Sequence, residues 1–111
     1  MEEEEYEELA SKLLESIAAQ IDEMDINNND VDVDYDGEIL TLGVKQGSYI
    51  INKHNSAKQI WMISPITGPH HFHFFDDQWV NDQDENILKV ISDELKSMKI
   101  NIQLINLSLC L

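Results

Sequence analysis

The chain has 111 residues, with 22 Asp or Glu against 7 Lys and no Arg, for a formal net charge of -15. That balance repels nucleic-acid phosphates and anionic membrane surfaces, while 42% hydrophobic residues are too many for a disordered acidic tail. The length fits one domain, and no apolar run approaches the roughly 18 residues of a membrane span. The lone cysteine, Cys110, excludes an internal disulfide framework and a cysteine-based zinc site and suits a reducing compartment.

The acids are unevenly placed: 15 lie between Glu2 and Glu38, none between Ile39 and Phe75, and 7 from Asp76 onward. The acidic lead Met1–Glu5 is the opposite of an Arg-rich transit peptide and lacks a signal-peptide hydrophobic region. The expectation is a chain that begins in its working compartment or has lost a targeting segment.

Residues 3–25 carry Leu9, Leu13, Ile17, Ile21 and Met24 at spacings of four, four, four and three, with Tyr6 extending the stripe, which predicts an amphipathic helix. Glu4, Glu8, Glu15 and Asp22 form a stripe on its opposite side, and the Asn27-Asn28-Asn29 cluster ends it. Val31–Tyr35 alternates strictly, predicting a half-buried strand with Val31, Val33 and Tyr35 inward and Asp32 and Asp34 outward. Asp36-Gly37 reads as a two-residue hairpin turn, and Ile39–Val44 is the return strand.

Lys45-Gln46-Gly47 turns the chain into a third strand, Ser48–His54, and Asn55-Ser56-Ala57 into a fourth, Lys58–Ser64. Pro65 and the Gly68-Pro69 pair predict an irregular loop. A fifth strand, His70–Phe75, places Phe72 and Phe74 on one face and His71 and His73 on the other. Asp76-Asp77-Gln78 turns into a short sixth strand at Trp79-Val80. Asp82, with Glu85 three residues on, resembles a capping box for a second helix over about 83–98, with Ile87, Leu88, Ile91, Leu95 and Met98 on its apolar face.

This order predicts a single α+β domain over residues 1–111. It is a two-layer sandwich with two helices packed on one face of a mainly antiparallel sheet of about six strands. Residues 1–5 form an acidic lead. Residues 99–111 run back along the helices, with Leu104, Leu107 and Leu109 covering core edges.

Three features carry candidate chemistry. The acidic face offers hard oxygen ligands suited to iron, Mn(II), Ca(II) or Mg(II). Side chains two apart on one strand face sit about 6.5–7 Å apart, however, so any such site is open and weak, and a plain solvated face explains the same residues. His54, His70, His71 and His73 lie on neighbouring strands without a third ligand at fixed spacing. Trp61 shares a face with Gln59 and Ile63, while Ile60, Met62 and Ser64 share the other. Alternation leaves both registers open: an exposed indole among amides is a hot-spot anchor for a protein partner, and a buried one is core. There is no nucleophile–base pairing and no Gly-rich phosphate loop.

The stretch Tyr49-Ile50-Ile51-Asn52-Lys53, then Lys58-Gln59-Ile60-Trp61-Met62, then Ser64-Pro65 with Gly68-Pro69, resembles the signature of the frataxin family. The opening Tyr6-Glu7-x-Leu9-Ala10, the acidic first strand and Trp79-Val80 also match, so the likeness covers about residues 5–98. It implies the helix–sheet–helix sandwich of small acidic proteins of mitochondria and bacteria, and hence a mitochondrial matrix or bacterial cytoplasm. It also implies weak iron binding along the first helix and first-strand edge, and docking on the cysteine desulfurase–scaffold complex that builds iron–sulfur clusters, where sulfur transfer or iron delivery is modulated.

Ferroxidase activity with iron storage, and a metal-independent acidic adaptor, are the alternative functions. A monomer is expected, with an iron-dependent oligomer as the alternative. By the same resemblance, the iron-contact positions are Glu7, Glu15, Asp22, Glu23, Asp30 and Asp32, and the partner-contact positions are Asn52, His54, Gln59, Ile60, Trp61 and His71. Ser11 and Ala19 stand where the family is often acidic. His54 stands where Gln is common, His71 where some relatives have Arg, and Ile63 where a small polar residue is more usual.

Overall fold

The computed structural model describes residues 1–25 and 29–106. Its elements follow in the order α1 (Glu3–Met24), β1 (Asp32–Tyr35), β2 (Ile39–Val44), β3 (Gly47–His54), β4 (Gln59–Ser64), β5 (Gly68–Phe75), β6 (Gln78–Val80) and α2 (Ile87–Ser97). The strands form one antiparallel sheet in the order of the chain, β1 to β6, because every connection is a short turn.

Alternation decides which side of the sheet is covered. Leu40, Leu42, Tyr49, Ile51, Ile60, Met62 and Phe72 point to the helices and are essentially inaccessible. They meet Tyr6, Leu14, Ile17 and Ile21 of α1 and Ile87, Ile91 and Leu95 of α2 in one core. Each such side chain contributes about 1.5–3 kcal/mol by leaving water.

The buried stripe of α1 is Tyr6, Ala10, Leu14, Ile17 and Ile21, rotated slightly from the predicted one. Leu9 and Leu13 flank it and Met24 is exposed. The reason is local: Tyr6 is drawn under the start of β4, where its hydroxyl donates to the Gln59 carbonyl at 2.8 Å, and this fixes the helix rotation. Of the Asn27–Asn29 stop signal, Asn27 and Asn28 lie outside the described residues. Asp25 closes the helix instead; its amide reaches the Ile21 carbonyl, and its buried carboxylate accepts from the Asp30 and Val31 amides at 3.1 and 3.0 Å.

Three turns differ from expectation. The β1–β2 tip is Gly37-Glu38 rather than Asp36-Gly37, because the Asp36 carboxylate accepts from both the Glu38 and Ile39 amides at 2.8 Å and Gly37 supplies φ +97°. Strand β5 starts at Gly68 rather than His70: the Ser64 hydroxyl oxygen gathers the Ile66 and Thr67 amides, so the loop needs only Pro65–Thr67. Helix α2 starts at Ile87 with Asn86 as its cap, accepting from the Leu88 amide at 2.8 Å. Asp82 is no cap, since Asn81 holds residues 81–85 in a loop by accepting from the Gln83 and Glu85 amides.

After α2 the chain turns back. Ile100, Ile102 and Leu104 are buried, the Leu104 amide donates to Ser92 Oγ, and the Gln20 side chain bonds both the amide and the carbonyl of Ile105 at 2.9 Å. Leu107, Leu109 and Cys110 lie outside the described residues.

Candidate functional site

The uncovered face of the sheet is built by the other half of the alternation. Register places Ile39, Asn52, Trp61 and His71 in one cross-strand row, Thr41, Ile50, Ile63 and Pro69 in the next, and His54, Gln59 and His73 on the other side. With Ile60 fully buried and Met62 nearly so, Trp61 stands on the open face. The two registers left open by the sequence are thereby resolved.

The indole is not loose. His54 stacks on it with ring centroids 3.6 Å apart and planes at 13°, and His71 stacks at 4.3 Å and 15°. Its Nε1 donates to Gln59 Oε1 at 2.7 Å. Asn52, His54, Gln59, Trp61 and His71 thus converge on one patch. Ile60 does not: it points into the core beneath Trp61, so its burial removes it from any contact surface and leaves it supporting the platform from below. Ile50 and Ile63, at 42% and 55% exposure, extend the patch as an apolar strip.

The acidic flank lies along α1 and β1. Glu7, Glu15, Asp22, Glu23, Asp30 and Asp32 are all exposed. Glu7 and Glu23 are 16 residues apart in one helix, about 24 Å along its axis. Among the described residues no three His, Cys, Asp or Glu side chains converge on one point that could hold a metal ion.

The flank is denser at one end. Asp22 and Glu23 occupy the last turn of α1, which holds no basic residue, and Asp25 ties Asp30 and Val31 against it. The negative end of the helix dipole adds to these charges, so this end attracts cations. Glu7 has a different setting. Lys53 shares the inward parity of Tyr49 and Ile51, and its stem is buried. Its ammonium emerges against α1 to meet Glu7 Oε1 at 2.6 Å and Ser11 Oγ at 3.0 Å. The Lys53 hydrogen bond holds the Glu7 carboxyl below the usual carboxylate range. Burial alone lowers the Lys53 pKa, but the Glu7 hydrogen bond and charge outweigh it and raise the pKa. Glu7 therefore already has a resident cation, whereas the other five form no ion pair among the described residues.

A third constellation is invisible to motif reading. Glu94, in α2, is buried at 9% exposure. Its Oε1 accepts from Tyr49 Oη at 2.8 Å and from Ser64 Oγ at 2.5 Å, and its Oε2 accepts from Thr67 Oγ1 at 2.7 Å. Thr67 Oγ1 also meets His70 Nε2 at 2.6 Å. Burial, and then the bond to Glu94, push the Tyr49 hydroxyl pKa well up. The carboxylate fastens the β4–β5 loop to α2 and so holds one margin of the open face.

Comparison with known proteins gives a consistent picture. The model of the frataxin-like domain matches residues 1–100. Mitochondrial frataxin of Arabidopsis thaliana is 36% identical over 106 residues, covering 88% of this chain and 56% of that protein. The mitochondrial frataxin homolog of Schizosaccharomyces pombe is 30% identical over 96 residues, covering 81% and 61%. The chain thus spans a little over half the length of these curated relatives. Among solved structures, frataxin from Psychromonas ingrahamii superposes with a TM-score of 0.81 at 27% identity over 95% of this chain and 99% of that one. Trimeric frataxin from Saccharomyces cerevisiae, complexed with ferrous iron, superposes with a TM-score of 0.73 at 27% identity over 80% and 83%.

Proposed function

This chain belongs to the frataxin family, and on that premise we propose that it is an iron-binding accessory protein of iron–sulfur cluster assembly. In this reading the open sheet face docks on the cysteine desulfurase–scaffold complex. The acidic flank holds iron weakly or meets a basic surface of the desulfurase, and the work is done in a mitochondrial matrix or bacterial cytoplasm.

The observation that carries the reading is the opposition of two surfaces. An indole braced by two imidazoles and an amide sits on a face drawn from a stretch without a single acid, residues 39–75. A flank of exposed carboxylates lies along α1 and β1. A preorganised aromatic anchor beside an apolar strip is what a protein–protein hot spot requires. Asn52, His54, Gln59, Trp61 and His71 are assigned to that contact. Glu15, Asp22, Glu23, Asp30 and Asp32 are assigned to cations, with Glu7 joining them only when Lys53 is displaced. Hard oxygen donors suit iron in either oxidation state, and their spread along the flank favours loosely held ions over a closed cage.

The spread also weighs against a ferroxidase, which needs two carboxylates on one ion. Capture of the chain by immobilised desulfurase is the test of docking, and Trp61→Ala should reduce it at least tenfold, as loss of a hot-spot aromatic does. Undiminished capture would place the contact elsewhere. Oxygen uptake with Fe(II) tests the catalytic alternative, with no acceleration over buffer expected.

A further inference from the structure

The rings on the open face form a slab of three. His54 and His71 cover both faces of the Trp61 indole at near-parallel angles, giving a stack about 8 Å from first centroid to last. The indole is thereby left to meet a partner by its edge, while His71 stays exposed. The indole N–H is already satisfied by Gln59, so the slab's polarity is set by the two imidazoles. His54 Nδ1 is buried and has no hydrogen-bond partner among the described residues.

We propose that His54 and His71 are positioning residues that clamp the Trp61 indole and make the docking face proton-sensitive, so that acidification releases the partner. The inference rests on the docking reading above and adds its regulation. Imidazole is the side chain that changes charge between about pH 5 and pH 8. In the free protein His71 is exposed, so water solvates a charge placed there, and an imidazolium on an indole face is favoured by the ring quadrupole. In the docked state water is gone and the platform supplies no carboxylate, so the charge is buried without a counter-ion from this chain. Docking therefore favours the neutral slab, and linkage makes binding weaken as protons are added.

The surroundings support this assignment. Neighbouring β2 contributes Ile39 and Thr41 to this face, neither of which titrates. On β5, His73 pairs across to Gln59 and lies outside the stack, and Val80 of β6 faces it. Lys58, in the β3–β4 turn next to Gln59, is positive, which reinforces the direction. Lys53 points through the other side of the sheet to Glu7. Glu38, at the β1–β2 tip before Ile39, is the acid next along the chain to this face, and its charge bears on Lys53. Both helices lie beneath the sheet.

Tryptophan emission of the full chain, titrated from about pH 8 to about pH 5 across the imidazole range, tests the clamp without any partner. Trp61→Phe supplies the Trp79 background for subtraction. Emission from Trp61 should fall as the stacked rings charge. The titration should vanish in His54→Gln/His71→Gln and persist in His73→Gln, all with unchanged circular dichroism. Wild-type emission that stays flat, or a titration that survives the double variant, overturns the proposal.

In parallel, wild-type affinity for the desulfurase should drop about tenfold between pH 7.5 and pH 6, the size of one unit of linked protonation, while the double variant stays flat. Equal affinity at both pH values in wild type overturns the release step. The docking reading is judged separately, by Trp61→Ala capture at neutral pH, so the two can fail independently.

Discussion

Truncating Glu94 should be the most damaging single change outside the apolar core. Its carboxylate is the acceptor for three hydroxyls, those of Tyr49, Ser64 and Thr67. Ser64 has no alternative, since its oxygen already accepts from the Ile66 and Thr67 amides and its proton points to Glu94. Glu94→Ala strands the buried Tyr49 and Ser64 hydroxyls and frees the β4–β5 loop. At about 1–3 kcal/mol for each orphaned group, the cost is roughly 3–5 kcal/mol, a large part of the roughly 5–15 kcal/mol of a typical domain. Glu94→Gln keeps one acceptor oxygen and the volume but loses the charge assistance, for about 1–2 kcal/mol and a melting temperature lower by roughly 5–15 °C. Urea denaturation read by circular dichroism measures both. The expected order is wild type, Gln, Ala, with Ser64→Ala and Glu94→Ala costing less together than the sum of the two. An Ala variant that unfolds at the wild-type midpoint would refute the assignment of Glu94 as the fastening of the loop.

Three further outcomes follow from the same geometry. Burial raises the Tyr6 hydroxyl from 10.0 to about 12, so the unfolded chain ionises first; stability should hold below pH 10 and decline as the pH climbs toward 12. Tyr6→Phe should lessen that alkaline slope in pH-dependent unfolding without abolishing it, since burial also raises the Tyr49 and Tyr35 hydroxyls. Glu7 is displaced the other way, mainly by Lys53: its contribution is present above the ordinary carboxylate range and is lost as the pH falls through the lower folded value. Lys53→Met should remove that acid-side slope and, by freeing Glu7, tighten divalent-cation binding measured by calorimetry. Finally, Fe(II) at fixed ionic strength should raise the melting temperature, by up to about 2.7 kcal/mol of stabilisation at a hundredfold excess over its dissociation constant. A melt that ignores the cation would count against a cation role for the flank.

The sequence pattern was most legible where one chemical period ran unopposed. The bounds of β2 were legible, and alternation set Ile60 and Met62 on one face of β4 and Trp61 on the other; which face lies inward came only with the packing of the helices. Residues that break a pattern by type while keeping its phase were hidden. Glu94 follows Ile87 and Ile91 at helical spacing, and Lys53 follows Tyr49 and Ile51 at strand spacing. Gln20 sits three residues after Ile17. Each reads as a surface residue by polarity, but its phase places it inside, where it must find partners, and each does. Phase is therefore the signal that could have found them. The loop at Asn81 was illegible for another reason: one amide side chain organises five residues, which no period records. The stacking of His54 and His71 on Trp61 depends on ring orientation across three strands, which sequence spacing does not encode.

The strands lie across the sheet in the order in which they occur in the chain. Each new strand therefore joins a neighbour already at hand, and little loop-closure entropy is spent until the helices arrive. Among the described residues, the side-chain fastenings that reach farthest along the polypeptide are the Tyr6 hydroxyl on Gln59, 53 residues away, and the Gln20 amide on Ile105, 85 residues away. The meander can thus assemble early, with the return segment after α2 clasped to α1 as the closing event. The same clasp is then the first part of the molecule able to open while the sheet stays intact.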